Sequence, residues 1–205
     1  MKYFCLPLLL FIYLTGCSQK KDTFDNYTAS IKDVQYESNK KFSDESISPL
    51  TKKDFQEFKA LDFYPIDSTY KIIAKFKLDE NPRFFEMPTT TERRPIYKTF
   101  GTATFILNGK ELVLHIYQNQ GLIKKPEYKN YLFIPFTDQT NSNGSYGGGR
   151  YIDLEIPEGD TIVIDFNKAY NPYCAYNIKY SCPIPPREND LAIEIKAGVK
   201  DYKKH

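Results

Sequence analysis

The chain has 205 residues, of which 28 are Lys or Arg and 26 are Asp or Glu. This length suits one domain with a real hydrophobic core and is short for two. The near balance of charge argues against nucleic acid as a partner, because phosphate binding requires a concentrated excess of basic residues.

The chain begins with the residue order of an export signal. Lys2 precedes an apolar run from Phe4 to Leu14, and Thr15-Gly16-Cys17 follows. The run is too short for a membrane-spanning helix, which needs about 20 apolar residues, and an ordinary cleaved secretory signal is the remaining alternative. Small residues leading directly into a cysteine are similar to the lipobox of bacterial lipoproteins. Residues 1–16 are therefore predicted to be a cleaved signal peptide.

Cys17 is the predicted lipidation site. In lipoproteins the cysteine thiol takes a diacylglyceryl group and the amine is usually acylated as well, for example with palmitate. Two or three chains make a lasting anchor, because each buried CH₂ contributes about 0.8 kcal/mol. The mature chain is expected to be extracytoplasmic and held to a membrane by these lipids. Because Ser18 stands where an Asp would favour inner-membrane retention, the outer membrane is expected in a cell that has one.

Two cysteines remain once Cys5 leaves with the signal and Cys17 carries lipid. Cys174 and Cys182 lie eight positions apart, and two thiols in an oxidising compartment predict a disulfide. A structural zinc site needs about four N or S donors. The only histidines are His115 and the terminal His205, so no metal and no cofactor are expected.

The N-terminal part of the mature chain, residues 17–47, is predicted to be a lipid-anchored tether followed by a weakly predicted helix. The tether is polar and unpatterned to about Ser30, and loosely helical spacing then relates Ile31, Val34, Ser38 and Phe42. After Pro49, Thr51 with Asp54 three residues later indicates a second helix start. The apolar stripe of this helix is Phe55, Phe58 and Leu61.

The rest of the chain alternates between apolar and polar residues, as strands do. Asn108-Gly109 separates two alternating runs, and this dipeptide supplies the positive φ angles that a tight hairpin needs. Strands are predicted at Tyr70–Leu78, Ala103–Leu107, Leu112–Ile116, Tyr131–Phe136, Arg150–Ile156, Thr161–Phe166 and Leu191–Ala197. We therefore predict a mainly β protein, with an antiparallel sheet that forms a barrel or sandwich-like single domain and one or two short N-terminal helices. Residues 48–200 form this domain, and residues 201–205 are a basic tail.

Two irregular polar segments are the candidate ligand-binding site. The first contains Tyr146, Gly147, Gly148, Gly149 and Arg150, whose bare amides and guanidinium could cradle an anion. The alternative is a wide hairpin loop whose glycines serve only geometry. The second segment follows the next predicted strand and offers the acceptors Asp165, Asn167 and Asn171. A hairpin pairing of Arg150–Ile156 with Thr161–Phe166 is expected to bring the two segments together.

Several motifs together resemble one family, domain-of-unknown-function family 1684. The similarity covers about Ser48 to Lys200, with Val199 standing where the family pattern has Glu. It implies an uncharacterised bacterial domain that is often found on lipoproteins, and it carries over no activity. The motifs are Glu92–Pro95, Phe100–Phe105, Leu132–Asp138, Tyr146–Tyr151, Asp165–Tyr176 and Cys182–Asn189.

Three classes of function remain open. We favour a membrane-anchored lipoprotein that binds a small polar or anionic ligand. A hydrolase that uses Asp138, Asp165 or Glu188 is an alternative, although no catalytic motif supports it and a structural ion pair with Arg94 or Arg150 explains such carboxylates equally well. A structural or assembly component of the cell envelope is the third possibility. An enzyme is the less favoured interpretation.

Lipidation at Cys17 gives the first testable prediction. The wild-type chain is expected to partition with membranes and to carry an acylated N-terminal cysteine by mass spectrometry. Cys17→Ala is expected to yield soluble or unprocessed protein, because it removes the attachment atom, whereas Cys5→Ala is the matched control and is expected to stay membrane-bound. An unmodified mature N-terminus elsewhere in the chain contradicts the assignment.

Overall fold

The computed structural model describes residues 16–202, with side chains from residue 25 onward. Residues 1–15 of the predicted signal peptide, the Cys17 side chain and the basic tail after Tyr202 lie outside this part. No helix in the described range has the length and apolarity that crossing a bilayer requires.

The first helix, α1, spans Gly16–Phe42. The weakly predicted helix is therefore real but longer, because it includes the polar residues 18–30 that were expected to form an irregular tether. It is polar over much of its surface and contacts the domain at few points. Ile31 and Phe42 are buried, and the Tyr27 hydroxyl donates a hydrogen bond to Asp165 Oδ1 at 2.9 Å.

The second helix, α2, spans Lys52–Glu57 and confirms the predicted start. Its N-cap is Thr51, whose side-chain oxygen accepts from the Asp54 backbone N–H at 3.1 Å and whose hydroxyl donates to the Asp54 carboxylate at 2.7 Å. This cap satisfies one backbone donor that the first turn leaves without a partner, the Asp54 N–H.

The strands are β1 Lys71–Leu78, β2 Phe84–Glu86, β3 Ile96–Leu107, β4 Lys110–Asn119, β5 Tyr131–Asp138, β6 Arg150–Glu155, β7 Thr161–Asp165 and β8 Asp190–Leu191. They form one curled sheet in the order β6-β5-β4-β3-β1-β7; β2 adds to β3, and β8 runs parallel to β5. All the other pairings are antiparallel, so the predicted mainly β fold is confirmed.

The β3–β4 hairpin is the clearest agreement between sequence and structure. Asn108 and Gly109 adopt φ angles of 52° and 74°, and Leu107 pairs with Lys110 across the turn. Farther along β3, a bulge between Thr99 and Gly101 changes the register. A Cβ on Gly101 would lie 2.5 Å from the Lys77 carbonyl oxygen, so the crossing of β1 and β3 requires glycine there.

The predicted pairing of β6 with β7 is wrong. β6 pairs with β5 from Phe136↔Arg150 to Tyr131↔Glu155, and β7 pairs with β1 from Lys71↔Asp165 to Lys75↔Thr161. The two strands thus end up at opposite ends of the sheet order. The short connection between β6 and β7 permits a hairpin but does not enforce one. β6 pairs instead with β5 and β7 with β1, whose core-facing side chains are also apolar.

β5 is buried on both faces, and a different hydrophobic cluster covers each face. Ile134 on β5 and Ile152 on β6 face the main core, whereas Phe133 and Tyr151, one position earlier on each strand, belong to a second, aromatic cluster. Side chains alternate between the faces of a strand. The main core therefore lies on one face of this sheet region and the aromatic cluster on the other.

The predicted strand Leu191–Ala197 is only partly confirmed, since β8 ends at Leu191. Beyond it the chain keeps the alternating burial of a strand, with Ile193 and Ile195 in the core. Its backbone hydrogen-bonds to polar groups at the end of β5, because the Gln139 N–H donates to the Ile193 carbonyl at 2.9 Å and the Ile195 N–H donates to Asp138 Oδ1 at 3.1 Å. Side-chain acceptors thus replace part of a strand ladder.

A buried ion pair holds this C-terminal segment. Arg150 Nη2 lies 2.7 Å from Asp138 Oδ2, and both side chains are fully buried. Arg150 also donates to the carbonyl oxygens of Ile195, at 2.8 Å, and Ala197. Asp138 Oδ1 accepts from the Thr140 backbone N–H at 2.9 Å and from its hydroxyl at 2.6 Å. Removal of either charge leaves the other buried without its partner.

A second buried polar side chain joins β4 to β5. These strands share one register pair, Tyr117↔Phe133, and the fully buried Asn189 carboxamide lies beside their divergence. It accepts from the His115 N–H at 2.7 Å and donates to the carbonyls of His115, at 2.9 Å, and Pro135, at 2.8 Å. Backbone groups that the separated strands would leave unpaired are thereby satisfied.

Arg150→Ala is expected to destabilise the domain by about 3–5 kcal/mol, because it leaves the Asp138 carboxylate buried and unpaired. Chemical denaturation followed by circular dichroism measures the change. Arg83→Ala is the matched control: Arg83 is exposed, and its loss is expected to change stability by no more than about 0.5 kcal/mol. Equal effects of the two substitutions would show that the ion pair is not structurally important.

Candidate functional site

A cleft of about 650 Å³ lies on the aromatic face of the sheet. Its floor comes from β5 and β6, one wall comes from α1 through Val34, Ser38 and Lys41, and the opposite wall comes from the irregular segment 168–183. This size falls within the usual range for small-molecule sites. We call it the tyrosine cleft because its lining includes Tyr97, Tyr131, Tyr151, Tyr170, Tyr173 and Tyr176.

Strand alternation places the floor residues. On β6, Tyr151 and Asp153 point to the cleft while Ile152 lies in the main core. The Phe133 and Tyr151 rings meet edge to face at 4.8 Å between centroids and 71°. Tyr151 and Tyr170 do the same at 5.8 Å and 89°. Such contacts fix the rings in place, so the aromatic floor is formed before any ligand arrives.

Asp153 is the one carboxylate among the described residues that line the tyrosine cleft. The hydroxyls of Tyr131 and Tyr170 both donate to its Oδ1, each at 2.7 Å. Its Oδ2 takes part in none of the hydrogen bonds between described residues. Solvent reaches Asp153, but the surrounding protein desolvates the carboxyl in part and raises its pKa above the ordinary value. The two tyrosine hydrogen bonds and the charge of Lys41 act in the opposite direction and are weaker.

The neighbouring tyrosines stay protonated. Desolvation, followed by the charge of Asp153, raises the pKa values of Tyr131 and Tyr170 well above the ordinary value of about 10. Burial raises the pKa of Tyr151 as well, and its hydroxyl donates to the Pro183 carbonyl. Tyr131, Tyr151 and Tyr170 therefore act as hydrogen-bond donors and apolar walls and carry no charge at neutral pH.

Three basic side chains also line the tyrosine cleft: Lys41, Arg93 and Lys168. None of them belongs to a salt bridge within the described part of the chain. Lys41 Nζ lies 5.2 Å from the Tyr173 ring centroid, and Arg93 donates through Nε and Nη2 to the Ser181 hydroxyl and carbonyl, at 3.0 and 2.8 Å. Against the single carboxylate of Asp153, the lining carries a net positive charge.

Asn171 is the predicted ligand-binding residue that the structure places in the tyrosine cleft. Its side chain is almost fully buried, and Nδ2 donates to the Lys200 carbonyl at 2.9 Å. Oδ1 accepts no hydrogen bond from any described residue. A buried acceptor without a donor is costly, and this oxygen is enclosed by protein with almost no accessible surface.

The predicted glycine-rich loop does not line the tyrosine cleft. Tyr146 packs against the aromatic residues beside α1 and α2, and Gly147 borders a separate shallow depression near Arg187. Gly149 has a φ of 87°, and a Cβ there would lie 2.6 Å from the Phe136 carbonyl oxygen. Gly149 therefore lets the chain pass close to β5. This agrees with the alternative in which the glycines of the loop serve only backbone geometry.

Arg150, Asp165 and Asn167 serve structural roles in place of the predicted ligand contacts. Arg150 is fully buried in its pair with Asp138. Asp165 caps the following 3-10 turn by accepting from the Asn167 N–H at 3.1 Å, and Asn167 Nδ2 donates to the Tyr27 hydroxyl at 2.9 Å and to the Asp67 carbonyl at 2.8 Å. These buried networks attach α1 and the segment before β1 to the sheet.

The carboxylates proposed for a hydrolase do not converge. Asp138 is buried in its ion pair, and the buried Asp165 accepts hydrogen bonds from Tyr27 and Asn167. Glu188 is exposed and accepts from the Tyr117 hydroxyl at 3.0 Å. No group of His, Cys, Asp and Glu side chains in the described part of the chain has an arrangement that could hold a metal ion.

Cys174 and Cys182 lie side by side as free thiols. The Cys174 backbone N–H donates to Cys182 Sγ at 3.2 Å, and Cys182 borders the tyrosine cleft. A hydrogen bond from Cys182 is the main cause that lowers the pKa of the Cys174 thiol to about 6, while the pKa of Cys182 is raised. The disulfide stays a prediction for the oxidised protein.

Sequence reasoning missed Asp153 and its partners Tyr131 and Tyr170. The available signal was that Tyr131 and Phe133 share one face of a strand, as do Tyr151 and Asp153 on the next strand. Both strands look like ordinary half-buried elements until their pairing is known. The closeness of Tyr170 depends on its isolated bridge to Tyr151, which no local pattern indicates.

The fold and the site define a mainly antiparallel β domain with an aromatic cleft at one end of its sheet. The family model described as protein of unknown function (DUF1684) matches residues 56–200, and the chain belongs to this family. Among solved structures it is similar to an uncharacterized protein from gene locus rrnAC0354 of Haloarcula marismortui, determined by solution NMR. The TM-score is 0.70 at 30% sequence identity, over 90% of this chain and 100% of that chain. No match was found among curated proteins.

Asp153→Asn is expected to raise the melting temperature at pH 7. Because the pKa of Asp153 is raised in the folded state, its ionised form destabilises the fold as the pH rises through that pKa. The gain should disappear below about pH 4, near the unfolded pKa, where both side chains are neutral. Asp33→Asn, at an exposed position on α1, is the control, and a lower melting temperature for Asp153→Asn at pH 7 contradicts this account.

The disulfide is tested by titrating thiols in the unfolded, unreduced mature protein, where no free thiol is expected. Reduction should lower stability by about 2–3 kcal/mol, the chain-entropy value for a loop of this size. In the reduced protein at pH 7, iodoacetamide is expected to alkylate Cys174 before Cys182, because Cys174 has the lower pKa. Two free thiols in protein isolated from an oxidising compartment rule out the bridge.

Proposed function

We propose that this domain binds a small polar ligand, anionic or hydroxylated, in the tyrosine cleft. The observation that carries the proposal is the position of Asp153 in a cleft that solvent reaches, with two tyrosine hydroxyls on one of its oxygens and none on the other. The surrounding protein raises the pKa of this carboxyl above its ordinary value, and perturbed acidities concentrate at functional sites.

The surroundings of Asp153 support binding over a purely structural role. Lys41, Arg93 and Lys168 line the same cleft with exposed side chains and form no salt bridge with a described residue. Their combined positive charge favours an anionic group on a ligand. Prearranged rings and a few polar groups on a concave surface are typical of small-molecule sites.

A hydrolase is the second candidate function, and the raised pKa of Asp153 is the observation that favours it. Hydrolysis of a glycosidic bond by the usual mechanism needs a second carboxyl about 5–9.5 Å away. The described lining of the tyrosine cleft contains no second carboxyl. Asp153 also lines an adjoining cleft that contains Glu127, Glu155 and Asp165, so hydrolysis stays the second candidate. Binding is the function that the tyrosine cleft itself supports best.

The proposal also includes the location of the domain, on the outer side of a membrane with lipids on Cys17. α1 begins at Gly16, beside this cysteine, and its 27 residues correspond to about 40 Å of helix. One end of α1 would then lie at the membrane surface, while the other end contributes Lys41 to the tyrosine cleft.

Ligand-observed NMR with mixtures of sugars, sugar acids, amino acids, nucleotides and carboxylic acids tests the proposed binding. At least one polar compound is expected to bind the wild-type chain and to bind Asp153→Asn about tenfold more weakly, because an amide nitrogen cannot accept the hydrogen bond that a carboxylate oxygen accepts. Tyr170→Phe should weaken binding as well, since Asp153 loses one of its two donors.

Lys59→Gln changes an exposed lysine outside the tyrosine cleft and is the matched control for surface charge. Melting temperatures confirm that each variant is folded. If every compound that binds the wild type binds Asp153→Asn and Tyr170→Phe equally well, the tyrosine cleft is not the binding site and the proposal is wrong.

A further inference from the structure

The hydrogen-bonding groups of the tyrosine cleft divide into two kinds, which together constrain the ligand. One acceptor that solvent reaches, Asp153 Oδ2, has no donor among the described residues. Such an acceptor binds hydroxyl or N–H groups of a ligand. Acetate offers no donor at neutral pH and would leave this acceptor to water.

The charged groups of the same cleft require an acid. Lys41, Arg93 and Lys168 outnumber the single carboxylate of Asp153. Arg93 is held by two hydrogen bonds to Ser181 that use Nε and Nη2, which leaves Nη1 as a donor at a fixed position. An ammonium ligand would gain from Asp153 and the aromatic rings but would be repelled by three cations.

The aromatic groups require a ligand with an apolar face. Among the rings that line the cleft, Tyr131, Tyr170 and Tyr173 are half-exposed, whereas Phe133 and Tyr151 beneath them are buried. The C–H face of a saturated ring packs well against exposed aromatic surface. Small linear acids such as acetate have too little apolar area to use it.

We propose that the ligand is an acidic saccharide, a sugar ring whose hydroxyls donate to Asp153 and whose carboxylate or phosphate binds among Lys41, Arg93 and Lys168. This inference rests on the proposed function and specifies its ligand class. The sugar ring packs on the half-exposed rings of Tyr131, Tyr170 and Tyr173, and the hydroxyls of Tyr131 and Tyr170 orient the Asp153 carboxylate. No group needs to change its ionisation for binding to occur.

Isothermal calorimetry on the full chain measures D-glucuronate, D-glucose 6-phosphate, D-glucose, acetate and inorganic phosphate as probes. At least one of the two acidic sugars is expected to bind about tenfold or more tightly than glucose, acetate and phosphate, because only the acidic sugars combine donors, charge and an apolar face. A difference in affinity between glucuronate and glucose 6-phosphate shows whether the site prefers a carboxylate or a phosphate. The affinity of the acidic sugar should fall as salt is added, since exposed charges contribute to binding.

Two variants assign the contacts. The double variant Lys41→Gln, Lys168→Gln should weaken binding of the acidic sugar about tenfold while changing glucose binding by less than about twofold. Asp153→Asn should weaken both sugars, because it removes an acceptor for hydroxyls. Lys59→Gln, outside the cleft, is expected to bind like the wild type.

The possible failures are distinguishable. Equal binding of glucose and the acidic sugars, or of acetate and the acidic sugars, overturns the acidic-saccharide inference. If no sugar binds but another compound of the NMR mixtures binds in an Asp153-dependent manner, this inference also falls while the proposed function stands. If no compound binds in a manner that depends on Asp153 or Tyr170, both fall together.

Discussion

The buried pair of Asp138 and Arg150 is the interaction on which the arrangement of this domain depends. Asp138 closes β5 and Arg150 opens β6, so their contact at 2.7 Å ties the two strands together at the loop that connects them. Their remaining hydrogen-bonding groups take the backbone of the C-terminal segment around Ile195. Burial of two charges is unfavourable unless nearly all of their polar atoms have partners. These partners are in place only in the observed pairing of β5 with β6, so the ion pair constrains the register of these two strands.

This register decides which side chains form the tyrosine cleft. Because successive residues of a strand face opposite sides, burial of Arg150 toward the main core directs Tyr151 and Asp153 to the other face. A slip by one residue would put Asp153 in the core and Ile152 in the cleft. The structural ion pair and the proposed binding site are thus two consequences of one strand pairing, and a substitution at Arg150 would affect ligand binding indirectly through the fold.

The tertiary structure separates the predicted ligand-binding residues, because it buries Arg150 in the core and places Asn171 at the tyrosine cleft. Arg150 follows three glycines and was reasonably expected at a surface loop, but a single residue type does not reveal whether its partner is a ligand or a carboxylate twelve positions earlier. Asp165 and Asn167 likewise cap local structure and hold α1. Asn171 was predicted and does line the tyrosine cleft, because the irregular segment that contains it folds over the outer face of β6 through the bridge between Tyr151 and Tyr170.

The sequence by itself determined the local structure: the capped start of α2 at Thr51, the Asn108-Gly109 hairpin, most strands and the mainly β class. These depend on backbone preferences and on contacts between near neighbours. Only the tertiary structure decided that β7 pairs with β1, that the chain after Leu191 is held by side chains, and that Asp153 meets Tyr131 and Tyr170. Period-two alternation specifies which residues share a face, but when both faces of β5 are buried it cannot specify which face meets the core and which meets the cleft.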